Sequence, residues 1–215
     1  YFWQLDATQT SILFAGPIIL AVLLSTVFSR LLHRLFEKQH ILRLTCALSC
    51  INLLWLTPLK LFDLLPDNST VVFSLIFANW ALHITMNILR VITVHSLLAD
   101  IVDEQELATG KRQEGVVFAI GFFSSKFVGA FAYLIAGPFL DLIGLQAGAQ
   151  LGEVSSTVIW GLGLIIGPGL AIIMLLPMWM SYKVNMSHAR HLEVRQALSQ
   201  REQATESDDS APVQE

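Results

Sequence analysis

Five long apolar stretches, at about residues 9–29, 41–59, 71–98, 116–140 and 157–182, leave this chain few ways to fold. About 20 residues rising 1.5 Å each cross the hydrocarbon of a bilayer, and in lipid a helix satisfies its backbone groups within one segment. A membrane β-barrel would need alternating segments of about 10 residues, and none of the five stretches alternates over that length. Composition agrees: 54% of the 215 residues are hydrophobic and 14% charged, against about 45–50% and about 25% in soluble domains. The surplus of apolar side chains needs an apolar solvent, and the expected fold is an all-α membrane protein of five transmembrane helices.

Several functions are disfavoured at once. A net charge of −4 with no basic run gives no footprint for nucleic acid. Cys46 and Cys50 both lie inside an apolar stretch, so neither a disulfide framework nor a metal knuckle is indicated. No nucleophile, base or ligand set falls within the spans, so no catalytic residue, no metal and no cofactor is expected, and an intramembrane enzyme is disfavoured. The sequence opens at Tyr1 with neither a methionine nor a signal-peptide pattern, and the expectation is a later part of a longer product.

Lysine and arginine set the expected orientation. Arg30, Arg34, Lys38 and Arg43 lie between the first two stretches, Lys111 and Arg112 between the third and fourth, and Lys183, Arg190, Arg195 and Arg201 after the fifth. Those segments are expected in the cytoplasm. The alternate loops hold Lys60 alone, and none falls between Asp141 and Ser156, which puts Tyr1 outside and Glu215 inside. Trp3, Trp55 and Trp160 then fall near the outer interface, and Trp179 and Tyr182 near the inner one, as amphipathic rings prefer. Residues 183–215 form a cytoplasmic tail: a polar helix is expected to about Gln203, and the composition from Thr205 to Pro212 reads as a disordered end.

Two glycine series read as close-packing seams. One is Gly121, Ser125 and Gly129; the other is Gly163 and Gly167, ahead of Pro168. A hinge at Gly167-Pro168-Gly169, or at Pro17 in the first span, is the alternative.

Polar groups in mid-span carry the functional signal. Trp80, His83, Asn87 and Arg90 follow steps of three, four and three, which puts them on one face of the third helix with Asn79 beside it. A mid-membrane charge costs about 2.5–3.5 kcal/mol on insertion scales, so Arg90 faces either the bundle interior or, being about 12 Å from the helix's inner end, snorkels toward headgroups. His83 and Asn87 serve either a binding wall or pairing between helices, and Trp80 either packs or stacks on a sugar ring. Lys126 sits near the centre of the fourth span, where snorkelling is hardest, with Gly129 and Tyr133 continuing its face. No acidic residue lies in mid-span, so an ion pair for Lys126 needs a partner from elsewhere, and the other candidate partner is a ligand.

The run Ala99-Asp100-Ile101-Val102-Asp103-Glu104-Gln105-Glu106-Leu107-Ala108-Thr109-Gly110-Lys111-Arg112-Gln113-Glu114-Gly115 gives identity. It resembles the cytoplasmic loop signature of the glycoside-pentoside-hexuronide:cation symporters, the melibiose-permease-like branch of the major facilitator superfamily. It keeps the paired acids, the Thr-Gly turn, the arginine and the glutamate after it. Physically the run suits a latch in which Asp100, Asp103 and Glu106 pair with arginines of neighbouring cytoplasmic loops in one state and release them in another. A helix cap closed by Gly110 is the structural counterpart.

Aligned on that loop, the five spans are similar to helices eight to twelve of a twelve-helix transporter, and residues 1–8 to the end of helix seven with an outer loop. The resemblance implies cation-coupled symport of a sugar or glycoside, with no cofactor and with sodium or a proton bound mainly in a missing N-terminal six-helix half. It also implies a place for Lys126 in the substrate and coupling site, beside a wall of Arg90, Asn87, His83, Trp80 and Tyr133. Asp100, Asp103, Glu106, Thr109, Gly110, Arg112 and Glu114 would form the gating loop. Two positions depart from the family: its helix-ten aromatic, nine residues before the first aspartate of the motif, is Val91, and Glu37 replaces a common glycine. The expected location is the plasma membrane, in bacteria the inner membrane. An anionic uronide or other carboxylate is the alternative cargo, and a non-transporting sensor or scaffold with the same fold is the alternative of another class.

Overall fold

A computed structural model describes residues 2–145, 154–183 and 188–209. Helices are the only regular structure among them. They are α1 (Ala7–Leu35), α2 (Lys38–Leu61), α3 (Ser69–Thr109), α4 (Glu114–Leu142), α5 (Ser156–Leu164), a π-helical turn (Ile165–Gly169), α6 (Leu170–Ser181) and α7 (His188–Asp209). Five segments are long and apolar enough to cross a membrane, with α5, the π turn and α6 forming the fifth. The all-α fold expected from hydropathy is the fold observed.

Local chemistry sets the ends. Asp6 caps α1 by accepting from the Gln9 amide at 2.7 Å while Gln9 Oε1 accepts from the Asp6 amide at 3.1 Å, a reciprocal box that ties off two orphan donors. Asn68 accepts from Thr70 and Val71 to start α3. Gly110 ends α3 in the left-handed region at φ 70°, where a side chain would be strained. Phe2 and Trp3 form a turn, in which Phe2 folds in against Val158 and Leu162 and its ring meets Trp3 edge-on at 4.9 Å. Helix α3 runs on through the acidic motif to Thr109, well past its apolar stretch, since nothing before Gly110 breaks it.

Helix α3 is the spine. It packs along α1 and α2, α2 packs along α6 and the π turn, and α7 lies on the end of α3. The α3 residues Ala81, Thr85, Leu89, Thr93 and Leu97 are buried at four-residue steps, and threonine hydroxyls in that stripe return to the carbonyls four residues back. Helix α4 differs: it meets α3 near its own start and has no buried residue.

The two glycine series part company here. A Cβ on Gly163 would lie 2.8 Å from Leu61 and Phe2, and one on Gly167 would lie 3.0 Å from Thr57 and 3.2 Å from the Leu53 carbonyl, so this series is a packed seam against α2. Gly121 meets Leu98 at 2.9 Å, but a Cβ on Gly129 would meet nothing within 4 Å. Among the described residues no seam forms through Gly129, because α4 has turned away from the other helices there. Pro168 and Pro17 are both accommodated within continuous spans, the first by the π turn.

The tail also departs from expectation. Helix α7 continues to Asp209, through Thr205 to Asp209, which composition alone reads as disordered. A helix already nucleated on α3 propagates cheaply through residues such as Gln203, Ala204 and Glu206. The rest of the expected disordered end, Ser210 to Pro212, and most of the loop between Asp141 and Ser156 lie outside the described residues.

Candidate functional site

The residues of the acidic motif assemble at the ends of α2, α3, α4 and α7. Asp100, only 5% exposed, receives Lys38 of α2 at 2.6 and 2.7 Å, and the same ammonium reaches the Ser96 carbonyl at 3.4 Å. The expected partners of Asp100 were arginines of other loops; the lysine that begins α2 is one partner that the sequence did not name. Arg112 sits across the turn and bonds Glu106 at 2.8 Å, Asp103 at 3.2 Å and Glu114 at 3.4 Å, so Asp103 and Glu106 pair within the motif itself. The hydrogen bond that Arg112 donates to Glu106 raises the pKa of Arg112 above the ordinary guanidinium value, with Glu114 and Asp103 adding to it. Thr109 accepts from the Lys111 amide and donates to the Gln105 carbonyl, the Gly110 amide returns to the Glu106 carbonyl at 2.8 Å, and Gln105 donates to Gln113 at 2.9 Å. The cap and the ion pairs coexist.

Helix α7 adds a layer that the sequence did not announce. Arg190 bonds Glu104 at 3.2 Å and Glu193 at 3.5 Å, Arg201 donates to the Leu107 carbonyl at 2.7 Å, and Val194 is buried between them along the helix. Glu104 is the main cause of a raised pKa at Arg190.

In mid-span the cations have no carboxylate partner among the described residues. Arg90 turns toward α2 and α6, where one guanidinium nitrogen lies 3.5 Å from Ser49 Oγ, 3.9 Å from Cys46 Sγ and 3.7 Å from Met174 Sδ. These are weak acceptors for a full charge. Trp80 and His83 stack with centroids 5.8 Å apart and planes 19° apart, and His83 Nδ1 is buried with no hydrogen-bond partner among the described residues. Asn87 is exposed and makes no hydrogen bond among them. Lys126 and Tyr133 stand exposed on α4, Tyr133 at 86%. No hydrogen bond, ion pair or ring contact among the described residues ties either to the α3 group. Of the six expected wall residues, Trp80 and His83 stack, Arg90 turns its guanidinium to α2 and α6, Asn87 makes no hydrogen bond among the described residues, and Lys126 and Tyr133 stand on α4.

Two polar links went unforeseen. Asn52 and Asn79 bond reciprocally between α2 and α3, each amide donating to the other residue's backbone carbonyl at 3.2 and 3.0 Å. His33 on α1 lies 3.2 Å from Thr93 Oγ1 on α3. A lone amide such as Asn52 within an apolar helix was the available signal, since it must find a partner away from water.

Residues 1–186 match the family model described as MFS/sugar transport protein. The chain belongs to that family. No curated protein and no solved structure matches it. Membership of a sugar-transport family, with five helices able to span lipid, places this chain among multi-pass membrane transporters. Its surroundings are the bilayer and a transported solute.

Proposed function

We propose that the chain supplies helices eight to twelve of a cation-coupled symporter of the glycoside-pentoside-hexuronide type, carrying a sugar or glycoside by alternating access. The observation that carries this reading is Lys126: a charged side chain in the middle of an apolar helix with no acidic partner among the described residues, on the one span that buries nothing in the bundle. In a transporter assembled from two bundles, such a face meets the central path, where remaining donors are satisfied by cargo and by groups of the opposite half. Trp80 stacked on His83 supplies an aromatic platform of the kind a sugar ring uses. The motif with Arg112 at its centre supports a latch that opens and closes with the transport cycle.

The coupling ion, sodium or a proton, binds mainly in the N-terminal six-helix half, and no cofactor takes part. Basic segments face the cytoplasm, Tyr1 lies outside, Glu215 inside, and the protein resides in the plasma membrane, in bacteria the inner one. The lack of a carboxylate beside Arg90 and Lys126 favours a second reading, an anionic uronide as cargo.

The test is uptake by vesicles carrying the full-length protein, with a radiolabelled neutral disaccharide or a radiolabelled hexuronate and an imposed sodium or proton gradient. Gradient-driven accumulation of the neutral sugar is expected. Accumulation of the hexuronate alone would replace the cargo, and no accumulation of either under both gradients would leave the sensor or scaffold reading.

A further inference from the structure

Away from the wall and the latch, one cation of α2 is built into a contact that the described residues leave incomplete. Arg43, in the second turn of α2, donates to Gln39 Oε1 at 3.5 Å and to the carbonyl of Ser181, the last residue of α6, at 3.4 Å. Its guanidinium lies 4.5 Å from the centre of the Tyr182 ring, and its Nε is buried with no acceptor among the described residues. A buried donor left unpaired costs more than an ordinary hydrogen bond gains, so this fork is poised for an acceptor from outside. Beside it Lys183 Nζ lies 5.6 Å over the Trp179 ring.

Charge and depth say what the acceptor is. Neither Arg43 nor Lys183 has a carboxylate within ion-pair distance among the described residues, while Lys38, five residues before Arg43, is taken by Asp100. The nearby Glu37 already accepts from Gln39 at 2.6 Å. Trp179 and Tyr182, 60% and 58% exposed, close the apolar run of α6 where amphipathic rings meet headgroups. Exposed Leu44 and Leu48 on α2 and Leu175 and Leu176 on α6 present apolar surface for acyl chains deeper in the bilayer.

We propose that Arg43 and Lys183 seat the phosphate of an anionic phospholipid in the groove between the start of α2 and the end of α6. A phosphodiester oxygen would fill the open side of the Arg43 fork, and Lys183 would supply the second positive charge. A zwitterionic lipid brings the same phosphate with an ammonium beside two fixed cations, so a net-negative headgroup is preferred. This seat is independent of what the transporter carries.

Full-length protein in mild detergent, given phosphatidylglycerol or phosphatidylcholine with the same acyl chains and read by native mass spectrometry, tests it. Wild type should retain phosphatidylglycerol in preference, and the double variant Arg43→Gln, Lys183→Gln should weaken that retention roughly tenfold, the scale of losing charge-assisted hydrogen bonds. Lys183→Gln alone, at an exposed site that folding does not need, should lose a smaller part, and Arg43→Lys should keep some binding without the fork. Unchanged phosphatidylglycerol retention in Lys183→Gln and in the double variant, or equal retention of phosphatidylcholine by wild type, would overturn the proposal. Inorganic phosphate displacing phosphatidylglycerol and stabilising the protein as well alone would mark a free-anion site and overturn the lipid assignment.

Discussion

At the motif end of the bundle, Lys38, Arg112 and Arg190 each meet carboxylates, and in mid-span Arg90 and Lys126 meet none among the described residues. Solvent explains part of the difference, because headgroups and water tolerate both signs of charge while hydrocarbon penalises each. The lesson lies in what the chain does with the penalty. Where pairing was available it was used to tie α2, α3, α4 and α7 together. Where charge is most expensive, the partner was left to something else.

That contrast makes opposite predictions for the two regions. The largest effect is expected from Asp100→Ala, which strands Lys38 in a half-buried site. It should cost about 3 kcal/mol, the lower end of breaking a buried pair because Lys38 keeps partial access to water. Unfolding in detergent would show it, and the double variant Lys38→Met, Asp100→Leu should recover most of the loss. A double variant as unstable as the single one would break the pairing account.

Glycines sharpen the same divide between closed and open regions. Gly167→Ala pushes a methyl against Thr57 and the Leu53 carbonyl and should cost about 1–3 kcal/mol, as overpacking does. Gly129→Ala enters open space and should leave stability unchanged in the same assay; an equal cost at both would mean that α4 packs in the bundle after all.

Next is Arg90→Met. Its contacts are a hydroxyl and two sulfurs, so losing the charge should leave stability the same or slightly higher. A marked loss would reveal a buried acidic partner.

The smallest destabilisation concerns the exposed network of Arg112. Arg112→Gln should destabilise at low ionic strength and lose that effect in high salt. With its pKa raised by Glu106, Arg112 contributes stability that is present below its unfolded value and is lost only as pH rises through the raised one. The wild-type difference from Arg112→Gln should therefore be flat between about pH 6 and 9. A difference that changes across that window would assign the effect to another group.

Hydropathy made the five spans legible because lipid imposes length and apolarity on each helix separately. The motif was legible for a related reason: Arg112, Asp103 and Glu106 lie within one helix turn and cap, close in sequence as in space. Pairings between distant elements were not. Lys38 and Asp100, or Asn52 and Asn79, are set by which helices pack, and helical spacing fixes the face of a residue without naming its neighbour. Thus Arg90 and His83 share a face as spacing implied, yet which helix each meets came only from the fold. Gly121, Ser125 and Gly129 make a pattern as good as that of Gly163 and Gly167, and a pattern of small residues permits close approach without compelling it. A tail helix to about Gln203 was expected, but its docking on α3 was hidden because its charges look like a solvated surface until Glu104 and Leu107 are there to receive them.

The central claim is that Lys126 belongs to a cargo site and not to the scaffold. Lys126→Met in the full-length protein removes the insertion penalty of about 2.5–3.5 kcal/mol along with the hydrogen-bond donors. Membrane abundance measured with substrate accumulation in the same vesicles tests this directly. The account predicts abundance at or above wild type with accumulation abolished; abundance that collapses, or accumulation near wild type at equal abundance, would contradict it.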